Sequence, residues 1–372
     1  VHPDDTASLP AAAVPAASPE PPASAIPAGP TGDAGIAGTG LTGDSGDVGT
    51  GLTGDQADLR DAVRSFLAAR PGAPWERLAR ELGVAGLAVP EEYGGAGCGT
   101  AEQAVVCEEL GRVLSPHPYL ATAVLAVEAL RAAADPEAMA RLLPAIADGS
   151  RTATVLLPGD ADLVLSRGRI TGTAPCALDG EVVLAFAGDE LVEAVPSSRT
   201  PLTTLDQTRP LVALSFDAVP VRPAGDGAAR DRVRDAGVAC LAAEQVGGAA
   251  ACLEAAVEHA LRRHQFGRPI GSFQAVKHKL ADLLLLVESA RSAALAAARA
   301  LPGGLPVAAA IAGSYCTEAY LAAAGENIQI HGGTGVTWEH PAHRHLKRAA
   351  ADAQLFGPPQ AHRARLAAAA GL

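Results

Sequence analysis

The sequence predicts an α+β chain of three structured parts: an N-terminal helical domain, a small antiparallel β domain and a C-terminal four-helix bundle. Three observations predict it. Apolar residues recur at helical spacing from Leu59 onward. From Thr152 the texture changes to short β-branched or alternating runs separated by Gly, Asp and Pro. From about Arg230 long Ala- and Leu-rich helical segments return and continue to the end. No helical pattern interrupts the β runs, which argues against a doubly wound Rossmann sheet.

Residues 1–52 are dominated by Pro, Ala, Gly, Ser and Asp and hold a near repeat, GTGLTGDS then GTGLTGDQ. Such a stretch buries too little apolar surface to offset its ordering entropy, so a disordered tail is expected there. The helical domain covers 53–150. Asp55 is its expected N-cap, and Leu59, Val63, Phe66 and Leu67 follow on one face. Further helical patterns cover 75–82, 101–114, 118–134 and 136–147, with an irregular loop GLAVPEEYGGAGCG over 86–99. The β domain covers 151–225 and looks short; its runs include TATVLL, GRITGTAPCAL, EVVLAFA, ELVEAV and LVALSFDAV. The bundle covers 226–372, with helices expected over 233–263, 273–301, 306–330 and 341–356. On the second of these, Val276, Leu280, Leu283, Leu284 and Val287 read as one apolar stripe.

A chain of 372 residues with a formal charge of -12 lacks the basic face that nucleic-acid binding needs, though an acidic surface still permits a local basic pocket. Six cysteines are scattered without a C-x-x-C pair, so free thiols are expected rather than a disulfide frame or a zinc site. No long uninterrupted apolar run marks a membrane span, and no basic-then-apolar signal pattern opens the sequence. A cytoplasmic protein is the expectation.

Two motifs stand out. In RRHQFGRPIGSFQ (262–274), Arg263 lies where a helix ends and a cation complements the helix dipole. On residue types alone this reads as a helix end with Phe266 plugging the core. Arg and Gln at a tight turn also suit a phosphate or pyrophosphate, because a guanidinium binds such oxygens bidentately. In QIHGGTGVTWEHP (329–341), the Gly-Gly-x-Gly turn lets backbone approach a ligand, although a plain interhelical turn has the same composition.

Taken together, RHQFGRPIGSFQAVKHKLAD and QIHGGTGVTWEHPAHRHLKR resemble the C-terminal bundle of the acyl-CoA dehydrogenase family. LGVAGLAVPEEYGGAGCG and EELGRVLSP are similar to that family's N-terminal domain, so the resemblance extends over nearly everything from residue 55 onward. It implies an FAD cofactor lying across a subunit interface. Carried over, Arg263, Gln265 and Phe266 reach its pyrophosphate and adenosine side, with Gln274 a weaker candidate. Gln329, Gly332 and Gly333 are implied to reach the same half.

The resemblance also implies a carboxylate that takes an α-proton from an acyl-CoA thioester while hydride leaves for the flavin. One family position for that base falls on Phe356 or Gly357, and the other on Gly237; none can accept a proton. Asp235, Glu244 and Asp352 are the nearby acids, none in register. LLPGDADLVLS stands where the family's flavin loop belongs, and neither Trp75 nor Trp338 falls in the β segment. Thr171 and Thr173 offer hydroxyls there but read as exposed strand residues. His340, His343 and His345 are not on one helix face and read as a solvated helix start rather than a metal site; Glu339 reads as structural.

The expected function is therefore an FAD-dependent acyl-CoA dehydrogenase component with a degenerate active site. It would lend its pyrophosphate half-site to a sister subunit, or to a copy of itself in a homo-oligomer. Two other readings remain: a non-catalytic structural subunit, and a repurposed flavoenzyme using Asp235, Glu244 or Asp352 as acid or base.

Overall fold

The computed structural model describes residues 51–372; most of the expected tail, with the first copy of its near repeat, lies outside them. Helix α1 (Gly54–Ala69) is capped by Thr53, not Asp55: Gln56 N–H donates to Thr53 Oγ1 at 3.3 Å and Thr53 N–H to Gln56 Oε1 at 3.2 Å. This reciprocal pair outcompetes a lone aspartate because it satisfies two orphan donors. Helices α2 (Trp75–Leu82) and α3 (Thr100–Arg112) follow. The segment expected as one helix over 118–134 begins as a π-helical stretch, Leu120–Ala126, and continues as α4 (Val127–Ala133). Helix α5 (Pro136–Ala147) starts with Asp135 accepting from Ala138 N–H and Pro136 in the first turn, where a missing N–H costs nothing.

The strands are β1 (Ala153–Leu156), β2 (Asp162–Ser166), β3 (Arg169–Leu178), β4 (Val182–Ala187), β5 (Glu190–Ala194), β6 (Ser198–Pro201) and β7 (Leu211–Asp226). They form one sheet ordered β1-β4-β5-β7-β3-β2, with β6 also on β7. The sheet is antiparallel except that β1 runs parallel to β4. That corrects the purely antiparallel expectation: β1 is fed from the helical domain, so it enters the edge without a hairpin to its neighbour. Burial of every residue of β1 and β4 fits a pair covered on both faces.

Helix α6 (Arg230–Arg262) crosses the middle of the C-terminal part. With its preceding turn it is long and apolar enough to cross a membrane, yet 94% of that window is buried, the mark of a core helix. A two-strand ribbon, β8 (His264–Gln265) and β9 (Arg268–Pro269), leads to α7 (Gln274–Ala298), α8 (Leu305–His331) and α9 (Ala342–Asp352). A further helix, α10 (Pro359–Ala369), packs on α8 and was not expected; its Ala/Arg-rich sequence carries almost no apolar stripe. On α7, Leu283 and Val287 are buried as the stripe predicts, whereas Leu284 is half exposed because it lies about 100° from that line.

Helices α3 and α6 touch backbone to backbone at paired glycines. A Cβ on Gly111 would lie 2.0 Å from Glu244 O, and one on Gly247 would lie 1.9 Å from Glu108 O. Only hydrogen fits between them, and this contact fixes where Glu244 sits. Gly247→Ala should destabilise the chain by about 1–3 kcal/mol through overpacking, read as a lowered denaturation midpoint. Gly303→Ala, which meets nothing within 4 Å, should stay within about 0.5 kcal/mol.

Candidate functional site

The two glycine-bearing motifs meet at one end of the bundle. Arg263 is the C-cap of α6, its N–H donating to His259 O at 2.8 Å. The chain then turns through Phe266 (φ 53°) and Gly267 (φ 77°) between β8 and β9, closed by Ile270 N–H on Arg263 O at 2.7 Å. Two successive positive φ values suit Gly267 but strain Phe266, and the strained ring is 91% exposed. Phe266 therefore does not plug the core, as residue types suggested; it projects outward, edge-on to Phe273, whose face carries the Arg268 guanidinium at 4.0 Å. A groove of about 330 Å³ runs between Gln265 and Phe266 on one side and Gln329 and Ile330 of α8 on the other.

The polar groups around this groove are uncommitted. Among the described residues Arg263 makes no ion pair, and the side chains of Gln265, Gln274 and Gln329 make no hydrogen bond. Gly332 closes α8 at φ 63°, ψ −143°, a conformation open to glycine almost alone, and a Cβ at Gly332 or Gly333 would meet nothing within 4 Å. Open space beside bare backbone, a free guanidinium and three free amides make a surface suited to an anion with several acceptors.

The expected base positions also converge. A Cβ on Gly237 would lie 3.1 Å from the Phe356 ring and 2.7 Å from Leu125 Cδ2. Residues about 120 apart in sequence thus meet face to face, and an aromatic edge fills the point between them. Phe356 itself has φ 58° and precedes Gly357 at φ 103°. The three nearby acids are engaged elsewhere. Asp235 is buried and accepts from Arg365 at 2.6 Å. Glu244 and Asp352 belong to an ion cluster.

That cluster was not foreseen. Arg348 of α9, 2% exposed, donates through Nε to Asp206 at 2.7 Å, through Nη2 to Thr208 Oγ1 at 2.7 Å and Ser115 O at 3.2 Å, and through Nη1 to Glu244. Arg209 donates to Glu244 at 2.5 Å and Asp352 at 3.1 Å. Asp206 Oδ1 accepts from Thr208 N–H at 2.9 Å and its hydroxyl at 2.6 Å. Three carboxyls thus face two guanidiniums. Burial pushes Asp352 up to about 7, more than the neighbouring Arg209 pulls it back, and its second oxygen has no partner. On Arg209 burial works downward, but Glu244 and Asp352 outweigh it and hold the guanidinium above its ordinary range.

The histidines around α9 differ from the expected solvated start. His345 is largely buried, shares a hydrogen bond with the Tyr320 hydroxyl at 3.0 Å and is held down at about 4 by burial and then by Arg348. His343 packs on Trp338, and His340 packs tilted against His331. Glu339 is exposed, and so are Thr171 and Thr173, as the strand reading expected.

Comparison with known proteins follows the same division. A family model for the acyl-CoA dehydrogenase N-terminal domain matches residues 53–150, and one for the C-terminal domain matches 235–371. Acyl-CoA dehydrogenase IpdE2 of Mycobacterium tuberculosis is 41% identical over 80% of this chain and 88% of its own length. The chain belongs to the acyl-CoA dehydrogenase family. Among solved structures, the ChsE4–ChsE5 complex from Mycobacterium tuberculosis matches with a TM-score of 0.79 at 27% identity, covering 86% of this chain and 98% of that one. A variant of the Tcur3481–Tcur3483 steroid ACAD matches with a TM-score of 0.73 at 29% identity, over 85% and 98%.

Acyl-CoA dehydrogenases are FAD-dependent oxidoreductases, and the free Arg263, the free glutamines and the open Gly332–Gly333 backbone fit the diphosphate side of such a cofactor. The ion cluster fits a structural role, since every charged member already has a partner. Sequence offered one signal for it, the polar run Asp206-Gln207-Thr208-Arg209-Pro210 just before the apolar start of β7, but nothing in spacing joined that run to Arg348.

Asp352 gives a testable pH signature. Its carboxyl is held at about 7 in the folded chain against an ordinary 3.8, so between about pH 4 and 7 the folded state binds a proton that the unfolded state has lost. Stability from this group falls as pH rises through that window and is level above it. Asp352→Asn, which keeps the acceptor facing Arg209, should remove that slope from the difference between variant and parent. Melts across pH 4–8 should show the variant gaining at high pH, by about 2–4 °C for each ~1 kcal/mol.

Proposed function

We propose that this chain is a subunit of a heteromeric FAD-dependent acyl-CoA dehydrogenase that desaturates an acyl-CoA thioester between its α and β carbons. Its part is to hold the diphosphate side of an FAD whose ring is seated in a sister subunit, which also supplies the catalytic carboxylate. The observation carrying this reading is the contrast between two places in one molecule. At the bundle end, Arg263, Gln265, Phe266, Gln274, Gln329, Gly332 and Gly333 present uncommitted, outward-facing groups. At the expected base positions, Gly237 and Phe356 press together with no carboxylate between them.

The resemblance to ChsE4–ChsE5, a complex of two different chains, supports a mixed assembly. The steroid ACAD among the neighbours supports a steroid-type acyl-CoA as substrate class. When bound, FAD supplies the hydride acceptor. This chain's residues would hold and orient its diphosphate through Arg263 by paired N–H donors and the Gly332–Gly333 backbone by close approach, while Phe266 offers a flat apolar face to the adenosine side.

Co-expression with a neighbouring family member tests the proposal. The pair should purify together with yellow flavin absorbance, whereas this chain alone should retain little. Arg263→Ala in the pair should lower flavin retention about tenfold or more, in line with about 1.5–3 kcal/mol for a charge-assisted contact, while leaving assembly intact. Full FAD occupancy and thioester desaturation by this chain alone would contradict it.

A further inference from the structure

Next to the half-site residues in sequence, three imidazoles meet in a column. His259, in the last turn of α6, packs tilted against His331, the last residue of α8, with ring centroids 4.2 Å apart; His331 in turn packs tilted against His340 at 4.4 Å. The column joins the end of one motif to the end of the other: His259 is four residues before Arg263, and His331 directly precedes Gly332. All three rings are partly buried. Two have fixed orientations, since His331 Nδ1 donates to Asn327 O at 2.8 Å and His340 Nδ1 accepts from Ala342 N–H at 3.2 Å.

We propose that this histidine column is a proton-accepting support for the diphosphate: binding of FAD at the adjoining half-site draws a proton onto the column, and the charged column then holds the diphosphate. The inference rests on the half-site reading above.

Several observations support it. Three rings in contact tolerate at most partial charging while no anion is near, because each added proton repels the next. Burial, then His331 and Arg263, keeps His259 below the ordinary imidazole range; burial, then His331 and His343, does the same for His340. Neighbouring carboxylates are taken up: Glu258 by Arg262 at 2.6 Å and Glu326 by Lys279 at 2.7 Å. Glu339 is exposed on the intervening loop. With Glu258 and Glu326 paired and Glu339 screened by solvent, the column is only weakly offset, and an arriving diphosphate is the charge that can offset it. Its field raises the proton affinity of the rings, and by linkage the protonated chain binds it more tightly. The affinity gain appears as pH falls from neutral toward the lowered range of the free column.

The test is calorimetric titration of FAD into the heteromeric pair after its co-purified flavin has been removed, in buffers of different ionisation enthalpy, between pH 6 and 8. The expected result is net proton uptake and about tenfold tighter binding at pH 6 than at pH 8, the size set by an average uptake of about half a proton across those two pH units. His331→Asn and His340→Asn keep an amide where each Nδ1 bond is made but cannot titrate; each should cut the uptake and flatten the profile to within about twofold. FAD binding without proton uptake overturns this inference alone, as does unchanged uptake in both variants. Absence of FAD binding to the pair overturns the half-site reading with it. Should the variants fail to fold, the proton count on the parent pair still decides.

Discussion

The buried ion cluster around Arg348 is the constraint on which the rest of the structure depends. Its guanidinium gathers Ser115 from the loop after α3, Asp206 and Thr208 from the β domain, and Glu244 from α6. Arg209 repeats the arrangement toward Asp352. Buried ion pairs contribute little net stability because desolvation offsets their attraction, but breaking one partner leaves a stranded charge at a cost of about 3–5 kcal/mol. The cluster therefore fixes geometry more than it adds stability. It holds α9 against the β domain, and with α9 the loop that carries Gly332 to His340. The glycine contact between α3 and α6 sets Glu244 at the depth that the cluster requires.

Much of the architecture was legible because it rests on local periodicity. Leu59, Val63 and Phe66 fall three to four apart, and the alternation in β3 and β7 matches their half-buried faces. The limits of that reading are equally local. Thr53 displaced Asp55 as the cap because a reciprocal side-chain pair cannot be seen from one residue. The parallel β1–β4 pairing is set by where the chain enters the sheet, which composition does not record. Helix α10 has too weak an apolar stripe to announce itself.

The site divides the same way. Arg263, Gln265 and Gly332 were found through contiguous motifs, and the structure brings both motifs to one groove. Phe266 was also found, but its outward direction depends on a strained turn that residue type does not reveal. The ion cluster was invisible because its members lie on elements far apart in sequence, Arg348 and Asp206 being 142 residues apart, and the histidine column because His259 of α6 joins two histidines of a distant motif. Asp235, Glu244 and Asp352 looked like candidate acids by proximity in sequence, and each proves to face a guanidinium. Asp235 and Glu244, so engaged, serve the fold; Asp352 keeps one unpartnered oxygen and a carboxyl raised to about 7, but at 1% exposure it is sealed from solvent rather than open to a substrate.

A subunit with an open diphosphate half-site and an aromatic edge at its own base position makes an asymmetric demand on its assembly. It can complete a partner's cofactor site without completing one of its own. Counting FAD per heteromeric pair, by releasing flavin from co-purified protein of known subunit ratio, tests that claim most directly. The account predicts one FAD for every two chains. Two FAD per pair, with this chain's own ring site filled, would contradict it.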